Sequence, residues 1–108
     1  MSLWKGFALV IAFSSSAAFA APPEVHVSLK DHRFSPAEVH VPAGQKIRLI
    51  VENQDATPEE FESHELNREK VIAGRSKATI YIGPLEPGRY PFVGEFNEAT
   101  AKGVVVAE

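Results

Sequence analysis

The chain of 108 residues contains no cysteine, and its only methionine and tryptophan are Met1 and Trp4. Without thiols it forms no disulfide, builds no Cys-based zinc site or iron–sulfur cluster, and has no thiol nucleophile. It also lacks an excess of positive charge. Eleven Lys and Arg against fourteen Asp and Glu give a formal net charge of −3. That balance argues against nucleic acid as the main partner, because phosphate binding needs a cationic face. No Gly-rich phosphate loop, serine nucleophile elbow or H-E-x-x-H stretch occurs. There are no internal repeats, low-complexity tracts or linkers. The length and an ordinary composition, 44% hydrophobic and 23% charged, fit a single folded domain.

The first twenty residues read as a secretory signal peptide. Lys5 precedes the short apolar run Gly6 to Phe13, and Ala18-Phe19-Ala20 forms an Ala-x-Ala cleavage pattern that places the cut before Ala21. The run is too short for a stable membrane anchor. Residues 1–20 are thus expected to be removed, leaving 21–108 as the mature domain, exported to the periplasm and not itself membrane-spanning. That domain has ten cations against fourteen acids, and no Cys, Met or Trp.

The mature part predicts an all-β sandwich of about seven to eight short strands. Val25–Lys30 alternates apolar and polar residues. Glu38–Val41, Lys46–Glu52, Glu60–His64, Val71-Ile72, Ala78–Ile82, Tyr90–Val93 and Val104–Val106 follow. Phe34 to Pro36 and Asn53-Gln54-Asp55 read as turns. Ser63–Val71 is expected to form a loop or one helical turn, with Ser63 as its cap. Leu85-Glu86-Pro87-Gly88-Arg89-Tyr90 has the form of a tyrosine corner, a hallmark of Greek-key sandwiches, or of an ordinary Pro-Gly turn.

The remaining chemistry lies in acids and imidazoles. On a strand, Glu60, Glu62 and His64 would share one face while Phe61 points to the core. Carboxylates so gathered repel one another unless a cation sits among them, although an acidic edge strand also guards against aggregation. Glu69 follows seven residues after Glu62, and Glu95 and Glu98 flank Phe96 in the loop before the last strand. His26 and His40 are the polar members of alternating strands and are expected at the solvated surface. Asp31, His32 and Arg33 are expected to form a local ion pair in a turn.

These segments resemble the cupredoxins, copper proteins with a Greek-key sandwich. The likeness rests on Phe34-Ser35-Pro36-Ala37-Glu38-Val39-His40-Val41-Pro42-Ala43-Gly44, on Asn53-Gln54-Asp55, on Leu85 through Phe92 and on Lys102-Gly103-Val104-Val105-Val106. The resemblance implies a copper site of two His, one Cys and a weak Met. Its positions fall near Glu59 for the first His, on Gly94 for the Cys, on Asn97 for the second His and on Ala101 for the Met. None of the four residues is present, so a blue-copper centre is excluded.

Glu59-Glu60-Phe61-Glu62 with Arg68-Glu69-Lys70-Val71 resembles more narrowly the EfeO-type cupredoxin-like domains of bacterial ferrous-iron uptake systems. That resemblance implies metal binding through Glu60, Glu62 and Glu69 and a fourth ligand at Gly94 or Glu95, of which only Glu95 has a side chain to offer. His64 is a candidate fifth. Iron and/or copper is the implied metal, other components of an iron-uptake system are the implied partners, and assistance in ferrous-iron oxidation is the implied role. Oxygen donors with an imidazole suit Fe, Mn, Zn or Cu(II) and not Cu(I). A metal-free interaction module docking to a permease or carrier, and a metal chaperone or buffer, remain as alternatives.

Overall fold

The computed structural model describes Gly6, Ile11 and residues 21–108; the expected signal peptide falls outside the described residues, these two apart. Nine strands follow in order: β1 (Glu24–Lys30), β2 (Arg33–Ser35), β3 (Glu38–Val41), β4 (Ile47–Asn53), β5 (Glu59–Ser63), β6 (Arg68–Ile72), β7 (Ser76–Ile82), β8 (Gly88–Gly94) and β9 (Lys102–Ala107). They form two sheets, of order β2-β1-β4-β7 and β3-β9-β8-β5-β6. The β1–β4 and β3–β9 pairs are parallel and the others antiparallel.

Alternation builds the core. Val27 and Leu29 of β1, Leu49 and Val51 of β4, Ile80 and Ile82 of β7, Phe61 of β5 and Phe92 of β8 are all buried. Phe61 and Phe92 stack with ring centroids 4.9 Å apart, and Phe34 meets Phe92 edge-on at 5.0 Å. Such pairs contribute about 0.5–1.5 kcal/mol each beyond the area they bury.

Phe34 marks the first difference from the sequence expectation. It is not in a turn but on β2, which makes nine strands rather than seven to eight. The turn is the one expected at Asp31 and His32, whose φ angles of 51° and 55° are the left-handed values a two-residue hairpin demands. Asp31, His32 and Arg33 form no ion pair with one another. Instead the Asp55 carboxylate accepts the backbone N–H groups of Asp31 (2.8 Å) and His32 (3.0 Å). Desolvation alone would raise the Asp55 carboxyl, but these two N–H donors, with His32 and Arg75 nearby, outweigh it and hold it below the usual carboxylate range. His26 and His40 stand at the surface as expected, His26 against Glu24 and His40 between Glu38 and Glu108.

The tyrosine corner is present: the Tyr90 hydroxyl donates to the Glu86 carbonyl at 2.8 Å. Ser63 closes a turn, as expected, but one that is neither long nor helical. Its Oγ accepts the Leu66 N–H at 3.0 Å and donates to the Pro91 carbonyl at 2.7 Å. The chain reverses over 64–67 and β6 starts at Arg68, three residues before the expected strand.

Candidate metal centre

Strand β5 has two chemically different faces. Glu59, Phe61 and Ser63 point inward and are buried, whereas Glu60 and Glu62 point outward and are half-buried. Hairpin pairing with β6 places Glu69 directly across from Glu62. Opposed residues of an antiparallel pair share a face, so Glu69 joins Glu60 and Glu62. Glu95 arrives from the other side, in a single 3-10 turn (Glu95–Asn97) that follows β8.

Carboxylate oxygens of Glu60, Glu69 and Glu95 lie within 4.8 Å of one another. Glu62 is the fourth member, because Glu95 is within hydrogen-bonding reach of it when one of the two carries a proton. That contact, with desolvation and the charges of Glu95, Glu69 and Glu60, pushes the Glu62 carboxyl up to about 7. Desolvation, followed by the same Glu95 contact and the charges of Glu95, Glu69 and Glu59, also raises Glu60. Among the described residues no lysine or arginine forms an ion pair with any of the four. Nearby Arg68 is committed elsewhere, its guanidinium donating to the carbonyls of Tyr81, Leu66 and Asn67.

His64 stands apart. Strand β5 ends at Ser63, so His64 lies in the turn, exposed, and is not among the carboxylates that meet. It borders a shallow depression of about 310 Å³ with Glu62, Asn67, Arg68 and Glu69. Glu98 borders a neighbouring one with His64, Glu65 and Val93.

The inward face of β5 holds what sequence reading missed. Glu59 is 2% exposed. Its Oε1 accepts the backbone N–H groups of Phe96 (2.8 Å) and Glu60 (3.1 Å), and its Oε2 accepts Nδ2 of Asn97 (2.6 Å). The signal was available: Phe61 inward puts Glu59, two residues earlier, on the same side.

The sequence matches, over residues 6–107, the family described as "Cupredoxin-like domain". It is 47% identical over 83 residues to the uncharacterized protein RP394 of Rickettsia prowazekii (strain Madrid E); the match covers 77% of this chain and 66% of that protein, so the chain spans just under two thirds of that relative's length. Two solved structures share the fold. One is the metal binding domain of the Cu(I) exporting P-type ATPase CopA of Streptococcus pneumoniae D39, determined with Cu(I) (TM-score 0.67, 16% identity, 79% of this chain and 84% of that one). The other is auracyanin A, a "blue" copper protein of Chloroflexus aurantiacus (TM-score 0.66, 14% identity, 82% of this chain and 100% of that one).

A sulfur-ligated copper ion does not fit the interior of this chain. The four positions that the resemblance assigns to copper ligands meet at one place: Gly94 N–H donates to the Ala101 carbonyl at 2.9 Å, Ala101 N–H donates to the Asn97 carbonyl at 2.8 Å, and Asn97 holds Glu59. The space between them is filled by the Glu59 carboxylate. A Cβ placed on Gly94 would lie 2.6 Å from Cδ of Glu59 and 2.7 Å from Cβ of Ala101. A cysteine at 94 therefore has no room while Glu59 is in place, and the residues present offer neither thiolate, thioether nor imidazole.

Proposed function

This chain belongs to the cupredoxin-like domain family, and from that premise we propose that it binds a metal without blue-copper chemistry, holding iron or Cu(II) through the carboxylates of Glu60, Glu62, Glu69 and Glu95 in the service of bacterial iron uptake. The observation that carries this reading is the convergence of the carboxylates of Glu60, Glu69 and Glu95, with Glu62 opposite Glu69 in the ladder, on one face with no paired lysine or arginine among the described residues. Like charges so arranged repel, and a cation among them turns the repulsion into ligation. Hard oxygen donors select Fe, Mn, Zn or Cu(II) over Cu(I), and they favour Fe(III) over Fe(II). His64 borders the site and would join it through a change in the 64–67 turn.

The amino-terminal pattern supports action in the periplasm, and the resemblance of Glu59-Glu60-Phe61-Glu62 and Arg68-Glu69-Lys70-Val71 to the EfeO-type cupredoxin-like domains supports a permease or iron carrier as partner. Oxidising Fe(II) at this face would require one electron to pass to dioxygen or to a redox partner, because the chain's own residues accept none. The site itself holds and hands over the cation. Titration calorimetry with Fe(II), Fe(III) and Cu(II) tests this: Glu60→Gln with Glu62→Gln abolishes binding under the proposal, and equal binding by wild type and variant refutes it.

Phe96, 52% exposed beside Glu95, favours a second reading. An apolar residue ringed by acids suits a metal-free docking face for a permease or carrier. That reading expects the double Gln variant to keep its partner while neither protein binds metal.

A further inference from the structure

Buried carboxylates are costly unless hydrogen-bonded, and Glu59 meets that condition by gathering three donors from one local region. Two of them, Phe96 N–H and Asn97 Nδ2, belong to the turn that carries Glu95. The third, Glu60 N–H, belongs to the next residue of β5, whose side chain faces Glu95 on the far side of the strand. Glu59 thus links the two elements whose carboxylates must meet. Its side chain lies on the opposite side of the β5 backbone from Glu60 and Glu62 and reaches the outer face only through its charge, which raises Glu60.

In a copper-loaded cupredoxin the metal would tie the same pieces together, because its ligands come from these positions. Here an organic group does so. Gly94 and Ala101 have side chains too small to compete for the space, and Ala101 is fully buried against it.

We propose that Glu59 is a positioning residue: its buried carboxylate stands in the place of the absent copper, ties β5 to the 95–97 turn, and thereby holds Glu95 against Glu60 and Glu62. The first two parts concern the metal-free protein alone. Only the last rests on the reading of the outer face as a cation site.

The test compares the mature wild-type protein with Glu59→Ala, Glu59→Leu and Glu59→Gln. Without metal, amide hydrogen exchange by NMR reads the tie directly. In Glu59→Ala the Phe96 amide exchanges at least about tenfold faster than in wild type. Glu59→Leu keeps about the volume without an acceptor and so serves where Glu59→Ala does not fold. Glu59→Gln keeps the tie without the charge, its oxygen accepting from Phe96 N–H while its amide donates to Oδ1 of a turned Asn97 side chain. With Mn(II) as probe, the affinity of Glu59→Ala or Glu59→Leu falls by about tenfold or more and that of Glu59→Gln falls less, whereas an equal fall in all of them is the loss of charge alone and overturns the positioning role. Ile82→Val, a core change in the other sheet that lowers the melting temperature without touching the turn, keeps wild-type affinity. Wild-type protection of the Phe96 amide in Glu59→Ala, or in Glu59→Leu where the alanine variant does not fold, overturns the tie, whatever the metal does. Lost protection with unchanged Mn(II) affinity overturns the positioning role. If wild type itself binds no Mn(II), the outer site fails as a cation site while the exchange data still decide the tie.

Discussion

Glu62 and Glu69 stand directly opposite each other in the β5–β6 ladder, on a sheet face where Glu60 and Glu95 also lie and where no described lysine or arginine pairs with any of them. Like charges directly across a ladder are destabilising. A sequence that keeps these carboxylates in this geometry gives up stability in the metal-free state.

Neutralising one member relieves it. Glu62→Gln is expected to raise the melting temperature of the metal-free protein and to weaken Cu(II) or Fe(III) binding by about tenfold or more. Melting curves with and without metal check both signs at once. A pure edge-guarding role for the acids predicts no metal-dependent shift in either protein.

The same repulsion sets a pH dependence. In the folded chain Glu62 titrates near 7, above its ordinary 4.5. Between those values the folded protein holds more protons than the unfolded one, so stability falls as pH rises through this window. Metal reverses the trend, since ligation requires the charged form. Melting temperatures at pH 5 and pH 8 are expected to drop with pH in the metal-free protein and to rise with pH in the presence of Cu(II). Calorimetry at pH 6 in buffers of different ionisation enthalpy is expected to show proton release on binding.

Asp55 titrates in the opposite direction. Its carboxyl is held below the ordinary value by the N–H groups of His32 and Asp31, so its contribution is present above about pH 4 and is lost as pH falls through the lowered value. Asp55→Ala is expected to cost about 1–2 kcal/mol at pH 7 and much less near pH 3. Denaturant melts at the two pH values measure it, with metal affinity unchanged because the Asp55 side chain bonds the 31–32 turn and none of the outer-face carboxylates.

Tyr90→Phe removes only the hydroxyl that donates to Glu86. The expected loss is about 0.5–1.5 kcal/mol of stability with wild-type metal binding. A drop in affinity equal to that of Glu62→Gln would mean that the corner, not the carboxylates, governs the site.

Most of the fold was legible because inward residues recur every second position. Val25–Lys30, Glu38–Val41 and Ala78–Ile82 correspond to β1, β3 and β7 within a residue or two. Strand β2 was not: the turn at Asp31 and His32 was expected, but Phe34 to Pro36 read as a second turn, which left no room for a strand between them. The site was legible where strand phase decided it, as at Glu60 and Glu62. His64 stands in the turn rather than on the strand because β5 ends at Ser63, which captures the Leu66 N–H, and it still borders the same depression as Glu62 and Glu69. Glu69 looked weak in isolation, as only the hairpin register sets it opposite Glu62. Glu59 was passed over because a run of acids reads as solvated, although the phase of Phe61 already sends it inward.

A cation held on the outer face of β5 by carboxylates, without sulfur, is read in electron paramagnetic resonance of residues 21–108 with one equivalent of Cu(II). A single bound Cu(II) with a signal of oxygen ligation, with or without one His64 nitrogen, and no intense blue absorption is expected, and it is lost when Glu60 and Glu62 are both replaced by Gln. The same bound signal in the double variant would show that these carboxylates do not hold the ion.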